Sequence, residues 1–165
     1  MSDESWNFAG EPQGDLERIT VGHELPITSI AANLDVDLTK ILRATVFHAT
    51  SLTPARWLVT IIRGDQSLDI GKVAEAAQAM FGISAIRPAD PGGRWPLGFV
   101  DPDLAMRTPD AVMLVDPAAA QGNIAWIAGG NEAGIYVKNF NWFRECGDRL
   151  ADPAKVNVAD ITPAA

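Results

Sequence analysis

The chain has 165 residues, 47% hydrophobic and 21% charged, with a mean hydropathy of +0.05 and a formal net charge of −8. That length suits one domain with a core of its own, and the apolar content excludes a disordered chain. With 13 Lys and Arg against 21 Asp and Glu, the balance excludes a protein that grips DNA through many phosphate contacts, while a local basic patch could still hold one RNA end.

Residues 1–15, with Gly10, Pro12 and Gly14, read as a flexible lead-in without an apolar leader segment. Apolar residues at Ile27, Ile30, Ala31 and Leu34 have helical spacing. Residues 38–49 predict a strand, and Trp57 to Ile62, rich in β-branched and aromatic residues, predicts a second. Arg63-Gly64-Asp65 is a turn. Residues 70–81 place Val73, Ala77, Met80 and Phe81 on one helical face, with Gly82 as the C-terminal stop. Residues 88–98 hold prolines and glycines and predict a loop. Ala111–Val115 is a continuous apolar run and predicts a buried strand. Residues 124–128 and 134–137 predict two more strands around the Gly129-Gly130-Asn131-Glu132 turn. Asn141 to Glu145 opens a short helix, and the tail from Asp148 is polar. The expectation is a single α+β domain, a mixed, largely antiparallel and barrel-like sheet with surrounding helices.

No apolar run reaches the roughly 18 residues of a membrane span. Cys146 is the one cysteine, so no internal disulfide can form, and the chain reads as cytoplasmic with no membrane partner. His23 and His48 stand apart, which gives a zinc site no support. Cys146, without a histidine near it in sequence, reads as an idle thiol. Trp95 lies beside the Gly98 loop, where it could stack on an adenine or cover a pocket.

The stretch Pro96-Leu97-Gly98-Phe99-Val100-Asp101-Pro102 predicts a stiff loop. Gly98 allows backbone angles and close approach that other residues deny, and Pro102 fixes one dihedral. Such a loop can aim N–H groups at a ligand. It also reads as an ordinary surface turn.

Several stretches recur in one order from about residue 16 to 160: Leu25-Pro26-Ile27 through Arg43, Ile62 through Leu68, Leu97-Gly98 through Pro102, Val115-Asp116, and Ala128-Gly129-Gly130-Asn131 through Asn141-Trp142. Their pattern resembles the insertion (editing) domain of bacterial prolyl-tRNA synthetases, within the YbaK-like aminoacyl-tRNA deacylases, as a free-standing copy. The resemblance implies a domain over 16–160 with a 161–165 tail. It implies a trans-acting deacylase that hydrolyses the ester of misacylated tRNA, first Ala-tRNA(Pro), with no cofactor or metal. Its partners would be the aminoacyl-tRNA 3′ end and prolyl-tRNA synthetase. The alternative is a non-catalytic module that binds aminoacyl-tRNA or a synthetase.

Carried over by position, Gly98 and Arg43 are the implied catalytic residues, and Pro102, Asp116, Gly129, Gly130, Asn131 and Tyr136 line the substrate cleft. Two positions depart from the pattern. Arg43 stands where the family has a lysine, Lys40 lying three residues earlier and pointing elsewhere, and Tyr136 stands where the synthetase-type pocket has a histidine. From the residues alone, Arg43 also reads as a solvated charge, Asp116 as a cap before Pro117, Tyr136 as a half-buried core aromatic with a bonded hydroxyl, and Gly129 to Asn131 as a hairpin turn.

Overall fold

A computed structural model describes residues 15–20, 31–32, 34–90, 93–122 and 124–163. The 1–14 part of the lead-in, His23 and most of the helix expected from Ile27 lie outside them; Ala31, Ala32 and Leu34 are helical.

Two sheets form the body. The larger has the order β4-β2-β3-β5-β8, from Ile83–Pro88, Leu42–Ser51, Trp57–Arg63, Ala111–Val115 and Val156–Val158. The smaller has the order β1-β7-β6, from Glu17–Thr20, Ile135–Phe140 and Trp126–Gly129. The β2–β3, β2–β4, β1–β7 and β6–β7 pairs are antiparallel, whereas β5 joins β3 and β8 in parallel. The fold is thus α+β with mixed, mostly antiparallel sheets. An isolated bridge between Ile41 and Ile127 links the two sheets.

β5 is buried along its whole length, as its unbroken apolar run demands. Helix α1, Ile70–Phe81, buries Val73, Ala77 and Phe81 against the larger sheet. The Asp69 side chain caps it by accepting the Lys72 N–H, and Gly82 closes it at φ +67°. The other helices are α2, Pro102–Arg107, and α3, Trp142–Cys146.

Several elements differ from the sequence expectation, among them the unforeseen strands β1 and β4. The strand expected from residue 38 begins at Leu42, because Leu38–Lys40 is a 3-10 turn capped by the Asp37 side chain. α2 begins at Pro102, the end of the expected loop, and runs over residues for which no element was expected; Asp101 caps it and Pro102 sits in its first turn, where a missing N–H costs nothing. The polar tail holds a 3-10 segment, Gly147–Ala151, and the short strand β8 at the sheet edge.

Three apolar cores result. One lies between the sheets around Trp126, Phe140 and Trp142, one lies under α1, and a smaller third joins Ala31, Ile41, Phe99, Ile127 and Tyr136. The third core carries the candidate site.

Candidate functional site

The Arg63-Gly64-Asp65 turn sets the position of β2. The Gly64 N–H donates to the Ile41 carbonyl at 2.8 Å, and a Cβ on Gly64 would lie 2.6 Å from the Leu38 carbonyl oxygen. Only glycine lets the two segments approach so closely. Arg63 grips Asp65 through Nε and Nη2 at 2.6 and 2.9 Å, which holds the Asp65 carboxyl below its ordinary range. This turn fixes where Ile41 enters the third core and where Arg43 leaves β2.

Arg43 is exposed, and its Nη1 donates to the Gln66 carbonyl at 3.1 Å. Ile41, the residue just before β2, packs in the same core as Tyr136. The Tyr136 hydroxyl donates to the Gly98 carbonyl at 2.9 Å, and its ring meets Phe99 edge-on at 5.3 Å between centroids. Burial raises the Tyr136 pKa, and the Arg43 charge partly offsets that rise. Tyr136 and Gly98, distant in sequence, therefore meet at one place, and the Arg43 charge reaches the Tyr136 hydroxyl through space.

Gly98 has φ +89°, a backbone state that favours glycine, and open space where a Cβ would stand. Its carbonyl is held by Tyr136, while its N–H and that of Val100 make no hydrogen bond among the described residues.

The Gly129-Gly130-Asn131 turn braces this loop. The Asn131 N–H donates to the Phe99 carbonyl at 2.7 Å, and its side-chain oxygen accepts the Asp101 N–H at 3.5 Å. A Cβ on Gly129 would lie 2.3 Å from the Phe99 carbonyl carbon, and one on Gly130 would lie 2.6 Å from the Ile135 side chain. Asn131 itself has φ +63°, tolerated by asparagine in turns. Pro102 is buried at the start of α2. Burial also raises the Asp101 carboxyl pKa, partly countered by the Asp103 N–H it accepts.

Asp116 stands elsewhere, at the end of β5. Its buried carboxylate accepts the Ala118 N–H at 3.1 Å, the Ile161 N–H at 3.2 Å and the Thr162 hydroxyl at 3.3 Å. Its carbonyl accepts the Ala119 and Ala120 N–H groups, and the Trp142 indole donates to the Ala119 carbonyl at 2.8 Å. Buried Asn141 reaches the Gly122 carbonyl at 2.8 Å. The spacing between Asp116 and Asn141-Trp142 is thus the spacing of a structural joint.

Trp95 is buried at 6% exposure, edge-on to Trp57 and under the Arg94 guanidinium. Its faces are taken up by the chain itself. His48 packs on Trp57 at 4.2 Å. Cys146 is buried, and burial pushes its thiol pKa far up, the opposite of nucleophile activation.

Sequence reading missed Phe99, whose ring and carbonyl tie the loop to Tyr136 and Asn131, and Lys138, two residues beyond Tyr136. Period-two alternation along β7 puts Lys138 on the Tyr136 side and was the available signal.

No protein-family profile matches the sequence, and no curated protein matches it. Solved structures do. APE2540, a hypothetical protein, superposes with a TM-score of 0.64 at 20% identity, over 90% of this chain and 92% of that one. A candidate trans-editing enzyme for prolyl tRNA synthetase superposes with a TM-score of 0.56 at 16% identity, over 90% of this chain and 87% of that one. At these identities the likeness shows the fold. No helix among the described residues is long and apolar enough to cross a membrane.

Proposed function

We propose that this chain is a trans-acting aminoacyl-tRNA deacylase that hydrolyses the ester of mischarged tRNA, with Ala-tRNA(Pro) as the first substrate to test. The observation that carries the reading is the Gly98 loop, held by Tyr136 and Asn131 with the Gly98 and Val100 N–H groups unengaged among the described residues, and with the Arg43 charge acting on the Tyr136 hydroxyl. The fold shared with a candidate trans-editing enzyme supports it.

The need for such an enzyme is physical. A synthetase pocket shaped for proline rejects a smaller amino acid weakly, since one methylene is worth only about 1–3 kcal/mol, so a second site must remove the error. Ester hydrolysis builds negative charge on the carbonyl oxygen as water attacks. Fixed N–H donors already aimed at that oxygen stabilise the charge without reorganising. In this reading the Gly98 N–H supplies that donor, and Arg43 positions the ester or the terminal nucleotide. Gly129, Gly130 and Asn131 keep the loop in place, Pro102 opens the helix that follows it, and Asp116 secures the end of β5. Release of alanine from charged proline tRNA tests the proposal.

One observation favours a second reading, a module that binds aminoacyl-tRNA or prolyl-tRNA synthetase without cleaving. Arg43 already spends a donor on the Gln66 carbonyl, and Tyr136 on Gly98. Both residues differ from the family pattern, and both are engaged within the chain. Binding of charged tRNA without hydrolysis would select this reading.

A further inference from the structure

In a chain of net charge −8, the cations are mostly tied down. Each arginine holds a carboxylate or a carbonyl, Lys72 grips Asp160 and the Thr162 carbonyl, and half-buried Lys155 donates to the Ala111 carbonyl. Among the described residues, the side chains of Lys40 and Lys138 alone of the 13 Lys and Arg make no hydrogen bond or ion pair. Both line one cavity of about 400 Å³, whose walls include Val36, Ile124, Ile127 and Asn139.

The cavity adjoins the candidate site. Val36 and Ile127 pack in the same small core as Tyr136. Lys138 follows Tyr136 by two residues on β7, roughly 7 Å along the strand on the same side. Lys40 immediately precedes Ile41, the residue that bridges to Ile127. Two acids face these lysines. Glu17 stands opposite Lys138 across β1 and β7, with no ion pair between them, and Asp37 feels the Lys40 charge while its carboxylate accepts from Thr39. Neither acid neutralises its lysine by contact.

We infer that the Lys40–Lys138 cleft is a nucleotide subsite, in which the two ammonium groups take a backbone phosphate of an RNA strand and Val36, Ile124 and Ile127 receive the ribose or base. The cavity is large enough for one small ligand, and its apolar walls with a few polar groups suit a nucleotide unit better than a bare anion. The choice of RNA rests on the deacylase reading, because the cleft borders the small core that holds Tyr136. An acidic peptide would use the lysines but leave the apolar wall unexplained.

The test is the salt dependence of binding of an uncharged single-stranded RNA of about eight nucleotides ending in CCA, a length within the range that single-strand sites cover. Neither lysine bonds to the fold, so Lys40→Ala with Lys138→Ala leaves thermal unfolding unchanged. One neutralised single-strand phosphate contributes about 0.7 to the slope of log affinity against log salt. The double alanine variant is expected to flatten the slope by about 0.7 and to weaken binding more than about tenfold at 0.1 M salt. The double arginine variant keeps the slope, and Arg87→Ala, on the far edge strand, does not change it.

An unchanged slope in the double alanine variant, or no RNA binding by the wild type, overturns the inference. So does displacement of the RNA by equal concentrations of inorganic phosphate, which marks a small-anion site, or of oligoglutamate, which marks a peptide site. Because the probe carries no ester, loss of the deacylase reading shows separately. A wild type that hydrolyses nothing yet shows the slope change keeps the subsite, whereas one that hydrolyses charged tRNA with an unaltered slope in the variant loses it.

Discussion

The Tyr136 hydroxyl donates to the Gly98 carbonyl across 2.9 Å, joining β7 to a loop 38 residues earlier in the chain. It fixes the orientation of the peptide unit that carries the Gly98 carbonyl while leaving the Gly98 N–H unengaged. Replacing Tyr136 with Phe removes the donor and keeps the ring against Phe99. The expected cost is about 1 kcal/mol, from a lost hydrogen bond at a partly buried carbonyl. Chemical denaturation measures it, and hydrogen exchange is expected to rise in residues 98–101.

Tyr136 is the one tyrosine in the chain, so the ultraviolet absorbance of phenolate reports on it alone. Burial raises its pKa, and the Arg43 charge acts against that rise. The midpoint is expected above the ordinary tyrosine value of 10.0, and higher still in Arg43→Ala. The sign for stability follows. An acid whose folded pKa is raised keeps its stabilising contribution below the unfolded value and loses it as pH rises through the folded one. Stability is therefore expected to fall above about pH 10. A midpoint in Arg43→Ala equal to that of the wild type would separate the two side chains.

Gly98→Val forces a β-branched side chain into φ +89°, although no atom stands in its way. The expected strain is about 1–3 kcal/mol, leaving the fold intact and the loop displaced. Gly129→Ala acts differently, by driving a Cβ into the Phe99 backbone. Its expected cost is about 1–3 kcal/mol by overpacking. Both variants are expected to lose hydrolysis while retaining cooperative unfolding, as circular dichroism would show.

Asp116→Ala leaves the Ala118 and Ile161 N–H groups and the Thr162 hydroxyl without their acceptor. The expected loss is about 1–3 kcal/mol, since buried donors go unsatisfied. Proteolysis near the C-terminus is expected to quicken before any change elsewhere.

Much of the fold was legible where periodicity was strong. Residues 70–81 carry an apolar stripe closed by Gly82, and residues 111–115 form an unbroken apolar run, so α1 and β5 stood out. β1, β4 and β8 did not, because short strands at or near sheet edges keep few residues buried and leave little pattern. α2 was hidden because Pro102 read as loop chemistry, although Asp101-Pro102 is also a helix start. At the site, the left-handed Gly98 and the turn at Gly129 to Asn131 follow from residue type. Their junction through the Phe99 carbonyl and the Tyr136 hydroxyl depends on partners 30 or more residues apart, which local spacing cannot reveal. Lys40 lines a cavity with Lys138, which only the packing of β7 beside it reveals.

Single-turnover hydrolysis of alanine-charged proline tRNA, comparing the wild type with Arg43→Lys and Arg43→Ala, tests the central claim most directly. The account predicts rapid release of alanine by the wild type, substantial release by Arg43→Lys, and a loss of about a hundredfold or more in Arg43→Ala, as for removal of a charge-stabilising group. No release by the wild type, with release gained in Arg43→Lys, would contradict it and mark the chain as a binding module.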